Sequence, residues 1–160
     1  MLLATLTATS QPTRDDPPAA RSVHPIVLFD GQCNLCSASV QWILRRDRRA
    51  RFRFASLQSR AGSAAVAAAG HRGSIPDSLV LIDAARDRPR IRFRSSAVLG
   101  IASHLGFPWS LAVVGYVIPR VLRDAAYDFI ARRRLRWFGS RATCWVPTKE
   151  LRSRFLDAGQ

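Results

Sequence analysis

Cys33 and Cys36, separated by two residues, follow Asp30 and Gly31 in the stretch "IVLFDGQCNLCSASVQWIL", Ile26 to Leu44. A pair so spaced has three chemical readings: a redox dithiol, half of a zinc site, or two small core residues. A redox pair works when one thiolate attacks a disulfide sulfur and the second thiol displaces the product. A structural zinc site needs four ligands, usually as two close pairs. Only Cys144 and the scattered His24, His71 and His104 could complete one, and none of them forms a second pair. The residues therefore call for neither a metal nor another cofactor. Cys144 reads as a buried small hydrophobe.

The chemistry depends on what positions the pair. Ile26 to Phe29 is short, apolar and rich in strand formers, and Asp30 and Gly31 end it in a turn. From there Cys36, Val40, Ile43 and Leu44 fall on one face of a helix, which exits into the basic run "RRDRRAR". At the start of that helix the first sulfur lies near unpaired backbone N–H groups and the positive end of the helix dipole. A thiolate is stabilised there. Cys33 is thus expected to be the more exposed, attacking thiol, and Cys36, facing the core, the resolving one. Asp30 has two readings of equal standing: an acceptor for the Cys36 proton during resolution, or a turn residue bonding nearby N–H groups.

Downstream, "RFRFAS" alternates as a strand, and the alanine-rich "SRAGSAAVAAAGHRG" reads as a short helix. Strands from about Ser78 to Asp83 and over "RIRFR" form an antiparallel hairpin. Ser95 and Ser96 are placed to cap a helix with a Val98, Leu99, Ala102, Leu105 stripe, stopped by Gly106 and Pro108. The order strand, helix, strand, helix, strand, strand, helix is an α/β, thioredoxin-like one: βαβ, then ββα, around a mixed sheet. In such folds a cis-proline stands before the hairpin and faces the cysteine pair. Pro76 occupies that place, where it would hold the backbone of Ile75 open to pair with an extended substrate; the other reading is an ordinary trans turn. "WSLAVVGYVIP" and "RVLRDAAYDFIARRRLRWFG" read as further helices, the second closed by Gly139. Ala126, Phe129, Ile130, Arg133 and Trp137 would pack it on the sheet. The expected layout is a disordered lead over 1–24, a redox core over 25–106, and a helical C-terminal extension over 107–160.

The tracts "LFDGQCNLCSASVQWILRRD", "PDSLVLID", "RFRSSAVLGIASHLG", "YDFIARRRLRWFG" and "CWVPT" resemble the DCC thiol-disulfide oxidoreductases. Asp30, Cys33 and Cys36 match the aspartate and two cysteines for which that family is named, and the likeness runs over roughly 25–156. It implies a thioredoxin-like fold and disulfide exchange and adds little on the substrate; the dithiol chemistry itself calls for a protein or small-molecule disulfide as substrate and an upstream dithiol as donor. Asn34 and Leu35 replace the dipeptide of thioredoxins, so the likeness does not fix the direction of exchange.

Composition bounds the rest. The 160 residues suit one domain, and three cysteines do not make a disulfide scaffold. The N-terminal apolar run has no basic residue before it and is broken by Thr5, Thr7, Thr9 and Ser10, so it does not read as a secretory signal, and a cytoplasmic protein is expected. No uninterrupted apolar span is long enough to cross a bilayer. The net charge is +14, and Lys149 is the sole lysine among 25 basic residues. Arginines here alternate with core phenylalanines or sit on helix faces, which argues against nucleic acid as the partner. A basic surface suited to acidic proteins or to peripheral contact with a membrane is the secondary reading. The rival function is a non-catalytic thioredoxin-like interaction module, which would not need both cysteines.

Overall fold

A computed structural model of the chain describes residues 24–76, 78–83, 89–140 and 148–158. Four strands, β1 (Ile26–Phe29), β2 (Arg53–Ser56), β3 (Val80–Asp83) and β4 (Arg90–Phe93), form one sheet in the order β2-β1-β3-β4. Helix α1 (Asn34–Arg46) carries the chain from β1 to a parallel β2, and α2 (Arg60–Ala68) follows. Strand β3 runs antiparallel to both β1 and β4. Helix α3 (Arg94–Leu105), a 3-10 segment (Trp109–Val117) and α4 (Arg120–Phe138) complete the main body. This is the mixed α/β arrangement of a thioredoxin-like fold.

Strand β1 is internal and covered on both faces, which is why it reads as a continuous apolar run instead of an alternation. Val27 and Phe29 point with Phe52, Phe54, Leu79 and Leu81 toward α1 and α3, where Val40, Ile43, Ala97 and Ile101 meet them. Ile26, Leu28, Val80 and Ile82 point the other way, onto Ala65 and Val66 of α2. The two-residue period of the strands thus builds two core layers.

The C-terminal residues close the first layer. Phe155 stacks on Phe54 with ring centroids 5.4 Å apart, and Leu156 N–H donates to the Phe54 carbonyl at 2.9 Å. Asp47, just past α1, accepts from the N–H groups of Arg51 and Phe52 and pairs with buried Arg154. One carboxylate thereby fixes the turn between α1 and β2 and ties it to the chain end.

Several expectations are corrected. Helix α3 begins at Arg94, straight out of β4, and no side chain caps it; Ser95 Oγ instead donates to Asp124 of α4. Its buried face is Ala97, Gly100 and Ile101, while Val98 is exposed, because a Cβ at Gly100 would stand 2.7 Å from Leu81. Close approach to the sheet selects the small residues. The stretch from Trp109 is 3-10 and not α-helical. Ile75–Pro76 is not cis, and the cis peptide among the described residues is Phe107–Pro108; Ser78 N–H donates to the Pro76 carbonyl at 2.7 Å.

Helix α4 is turned opposite to expectation. Phe129, Ile130 and Trp137 face outward, 47%, 46% and 54% exposed. Its inner face is polar: Asp124 meets Ser95, Tyr127 Oη accepts the Leu79 N–H at 2.9 Å, Asp128 pairs with Arg94 at 3.4 Å, and Arg134 is buried. The groups α4 covers are polar, and only polar side chains satisfy them. No described helix is long and apolar enough to cross a membrane.

Candidate active site

The turn after β1 places the cysteines. Asp30 Oδ1 accepts the Gln32 N–H at 3.0 Å, and Cys33 N–H returns to the Asp30 carbonyl at 3.3 Å. Cys33 then caps α1 in extended conformation, φ −89° and ψ 121°, its sulfur accepting from the Cys36 N–H at 3.4 Å. A sulfur in the capping position meets an otherwise unpaired amide, an arrangement that suits a thiolate. Cys36 lies in the first turn of α1, on its buried face. Both cysteines are free thiols.

The surroundings treat Cys36 as a proton holder. Its pKa is pushed up from 9.0 to about 12, first by burial, then by the hydrogen bond to Cys33 and by negative charge on Cys33 and Asp30; the Arg134 guanidinium opposes them. A raised native pKa means stability is fully present below about pH 9 and is lost as pH climbs toward 12. Under reducing conditions the wild-type chain should therefore lose about 1 kcal/mol of unfolding free energy between about pH 8 and about pH 10, relative to Cys36→Ala. Urea titrations of both chains at the two pH values measure it.

Asp30 is buried and bound on both oxygens. Oδ1 also accepts from Gln58 Nε2 at 3.1 Å, and Oδ2 accepts from Arg134 Nη2 at 3.1 Å. The contact expected of a turn residue is present, and Asp30 is close enough for its charge to help raise the Cys36 pKa. Gln58 and Arg134 escape a reading of the sequence, since they lie 28 and 104 residues from Asp30. The available signal for Arg134 was its helical register with Asp124, Tyr127 and Ala131, which share the inner face. Tyr127 is also close enough for the charge of Cys36 to help raise its pKa, after burial as the main cause.

Cys33 departs from expectation: it is fully buried, 0% exposed against 9% for Cys36. The cause is the far end of the chain. Ser140 forms an antiparallel bridge with Cys33, and Asn34 Nδ2 donates to the Phe138 carbonyl at 2.8 Å. Gly139, at φ +74°, makes the turn that brings this segment over the start of α1. Exchange requires that cover to yield. Asn34→Ala removes one hydrogen bond from it and should speed alkylation of Cys33 by iodoacetamide about two- to tenfold, read by mass spectrometry.

Pro76 lines a cavity of about 430 Å³ together with Ser78, Tyr127, Arg132 and Arg134, so it shares a wall with the partner of Asp30. Ile75 packs instead on the α2 side of the sheet. His71 lies against Phe93, and His104 against Phe52, 3.8 Å from Asp83. Among the described residues no group of three or more potential metal ligands converges; Cys144 lies outside them.

A family model described as DCC1-like thiol-disulfide oxidoreductase matches residues 27–140. The uncharacterized protein YuxK of Bacillus subtilis (strain 168) is 37% identical over 131 residues, 82% of this chain and 93% of its own length. A chloroplastic DCC family protein of Arabidopsis thaliana is 36% identical over 122 residues, 76% of this chain and 69% of its own. No solved structure matches. The matched span runs from β1 through both cysteines to the Ser140 bridge, and on it the chain belongs to the DCC1-like thiol-disulfide oxidoreductase family.

Proposed function

We propose that the protein catalyses thiol-disulfide exchange, with Cys33 attacking and Cys36 resolving. The observation that carries this is the asymmetry of the pair: the Cys33 sulfur caps the helix and receives the Cys36 N–H, while Cys36 lies inside the first turn with its pKa pushed up by burial and by the neighbouring Cys33. The Cys33 thiolate attacks a disulfide sulfur of the substrate, the substrate S–S bond breaks, and one substrate thiolate leaves. Cys36 then gives up its proton and attacks the Cys33 sulfur, releasing the second substrate thiolate. The chain retains a Cys33–Cys36 disulfide, and two electrons have passed to the substrate. An upstream dithiol restores the pair; run backward, the same steps oxidise a dithiol.

In this reading Asp30 takes the Cys36 proton, directly or through a water, at the resolving step. Arg134 sets the charge balance, because its guanidinium favours the Cys36 thiolate that Asp30 disfavours. Pro76 and Ile75 lead into β3, where a disulfide-bearing segment would dock. A cytoplasmic setting, with thiols mostly reduced, would keep the pair as a dithiol poised for reduction of its client.

The reduced protein should consume a small disulfide such as oxidised glutathione, form an intramolecular disulfide, and return to the dithiol with dithiothreitol over repeated cycles. Loss of the Cys33 and Cys36 thiols together is the expected signature. A chain whose thiols react independently, without joining, would overturn the reading.

A further inference from the structure

Among the described residues, every large apolar side chain that is exposed, Val98 excepted, lies between Phe107 and Phe138. Phe107, Val114 and Val117 are 82%, 68% and 83% exposed, and Val121 on α4 is 80% exposed. The inverted orientation of α4 is the reason, since its polar face is spent on Ser95, Leu79, Arg94 and Asp30. Its outward residues, which follow the 3-10 segment in the chain, mix exposed apolar side chains with arginines. Exposed apolar side chains gathered in one stretch of the chain suit a contact site.

Charge identifies the occupant. Phe107, Pro108 and Trp109 line a cavity of about 510 Å³ together with Arg45, Arg46, Arg48, Arg49 and Arg51, beside Asp47 and the end of α3 from His104 to Gly106. Its one carboxylate, Asp47, is committed to Arg154 and to the backbone of Arg51 and Phe52. Arg46 stacks on Trp42 and Trp109, 4.0 and 4.7 Å from the ring centroids, which fixes a cation at the edge of the apolar surface. On α4 the exposed Arg133 and Arg136 lie among the outward apolar residues, Arg133 over the rings of Phe129 and Trp137. Apolar side chains beside arginines match the boundary between acyl chains and anionic headgroups. A second copy is a poor occupant, since each chain carries +14.

We infer that the 3-10 segment and the outer face of α4 dock this protein on an anionic phospholipid surface, with phosphate groups held by the arginine-lined cavity beside Phe107. The full chain is mixed with large unilamellar vesicles of phosphatidylcholine alone or with about a third phosphatidylglycerol, and sedimented. It should bind the anionic vesicles at least about tenfold more strongly, and the excess should shrink as salt rises. Val114→Asp/Val117→Asp should lower binding by about tenfold or more, with an unchanged far-ultraviolet spectrum, because both sites are exposed. Arg48→Glu/Arg49→Glu should remove the preference for anionic lipid by a different route. Equal recovery with and without vesicles overturns the inference. So does binding that neither double variant weakens, or a concentration-dependent dimer that the Val114/Val117 variant abolishes without any vesicle binding. Disulfide exchange in solution can persist through any of these failures, so the two readings are tested apart.

Discussion

Cys33→Ser should fold as the wild type does and lose at least about a thousandfold of its dithiol-dependent disulfide turnover. The fold survives because serine is a good helix cap and its hydroxyl can accept the Cys36 N–H that the sulfur now accepts. Turnover is lost because the thiol left in the pair, Cys36, is still pushed toward its protonated form by burial, the largest cause of its raised pKa. At neutral pH a thiol so protonated is a poor attacking group. Cys36→Ser should behave differently, keeping the first half of the reaction and losing the second. A turnover assay with oxidised glutathione and dithiothreitol separates the two variants from wild type, and circular dichroism confirms the fold.

Arg134→Leu should cost about 3–5 kcal/mol of stability, the largest structural effect of a single change near the site. Its guanidinium is buried against the Asp30 carboxylate, and removing one partner leaves the other charge inside the protein. The Gln32 N–H and Gln58 amide stay on Asp30 Oδ1 and offset part of that cost. Asp30→Asn/Arg134→Leu should recover much of the loss, so a double-mutant cycle by urea unfolding should show coupling of more than about 1 kcal/mol. The chemistry should shift as well, since Arg134 opposes the upward push on Cys36. Resolution of a mixed disulfide should slow in Arg134→Leu, move to higher pH, and be partly restored in Arg134→Lys.

How much of this could be read from the residues divides along sequence distance. The strand over Ile26–Phe29, the cysteines on the following helix, the parallel crossover and the β3–β4 hairpin all follow from short-range patterning, and the structure has them. Gly139 ends α4 as its type suggests. What escaped was set by contacts between distant segments. Arg134 reads as one arginine of a solvated run, yet it is buried because Asp30 lies opposite it. Cys33 reads as exposed because a helix start normally is, yet Ser140 pairs over it. The outward turn of Phe129 and Trp137 has the same origin: hydropathy predicts an apolar face inward, while the polar groups of β3 and α3 demanded the other. Periodicity locates a helix and its two faces; what each face meets depends on the neighbour.

The division of labour between the two cysteines is the centre of this account, and the most direct measurement compares Cys36→Ser with Cys33→Ser after exposure to oxidised glutathione at neutral pH. Intact-mass and peptide analysis should show Cys36→Ser carrying one stable glutathione adduct on Cys33, released by dithiothreitol, while Cys33→Ser forms its adduct on Cys36 far more slowly. Adducts that form on Cys36 as fast as on Cys33, or no adduct on Cys33 at all, would contradict it.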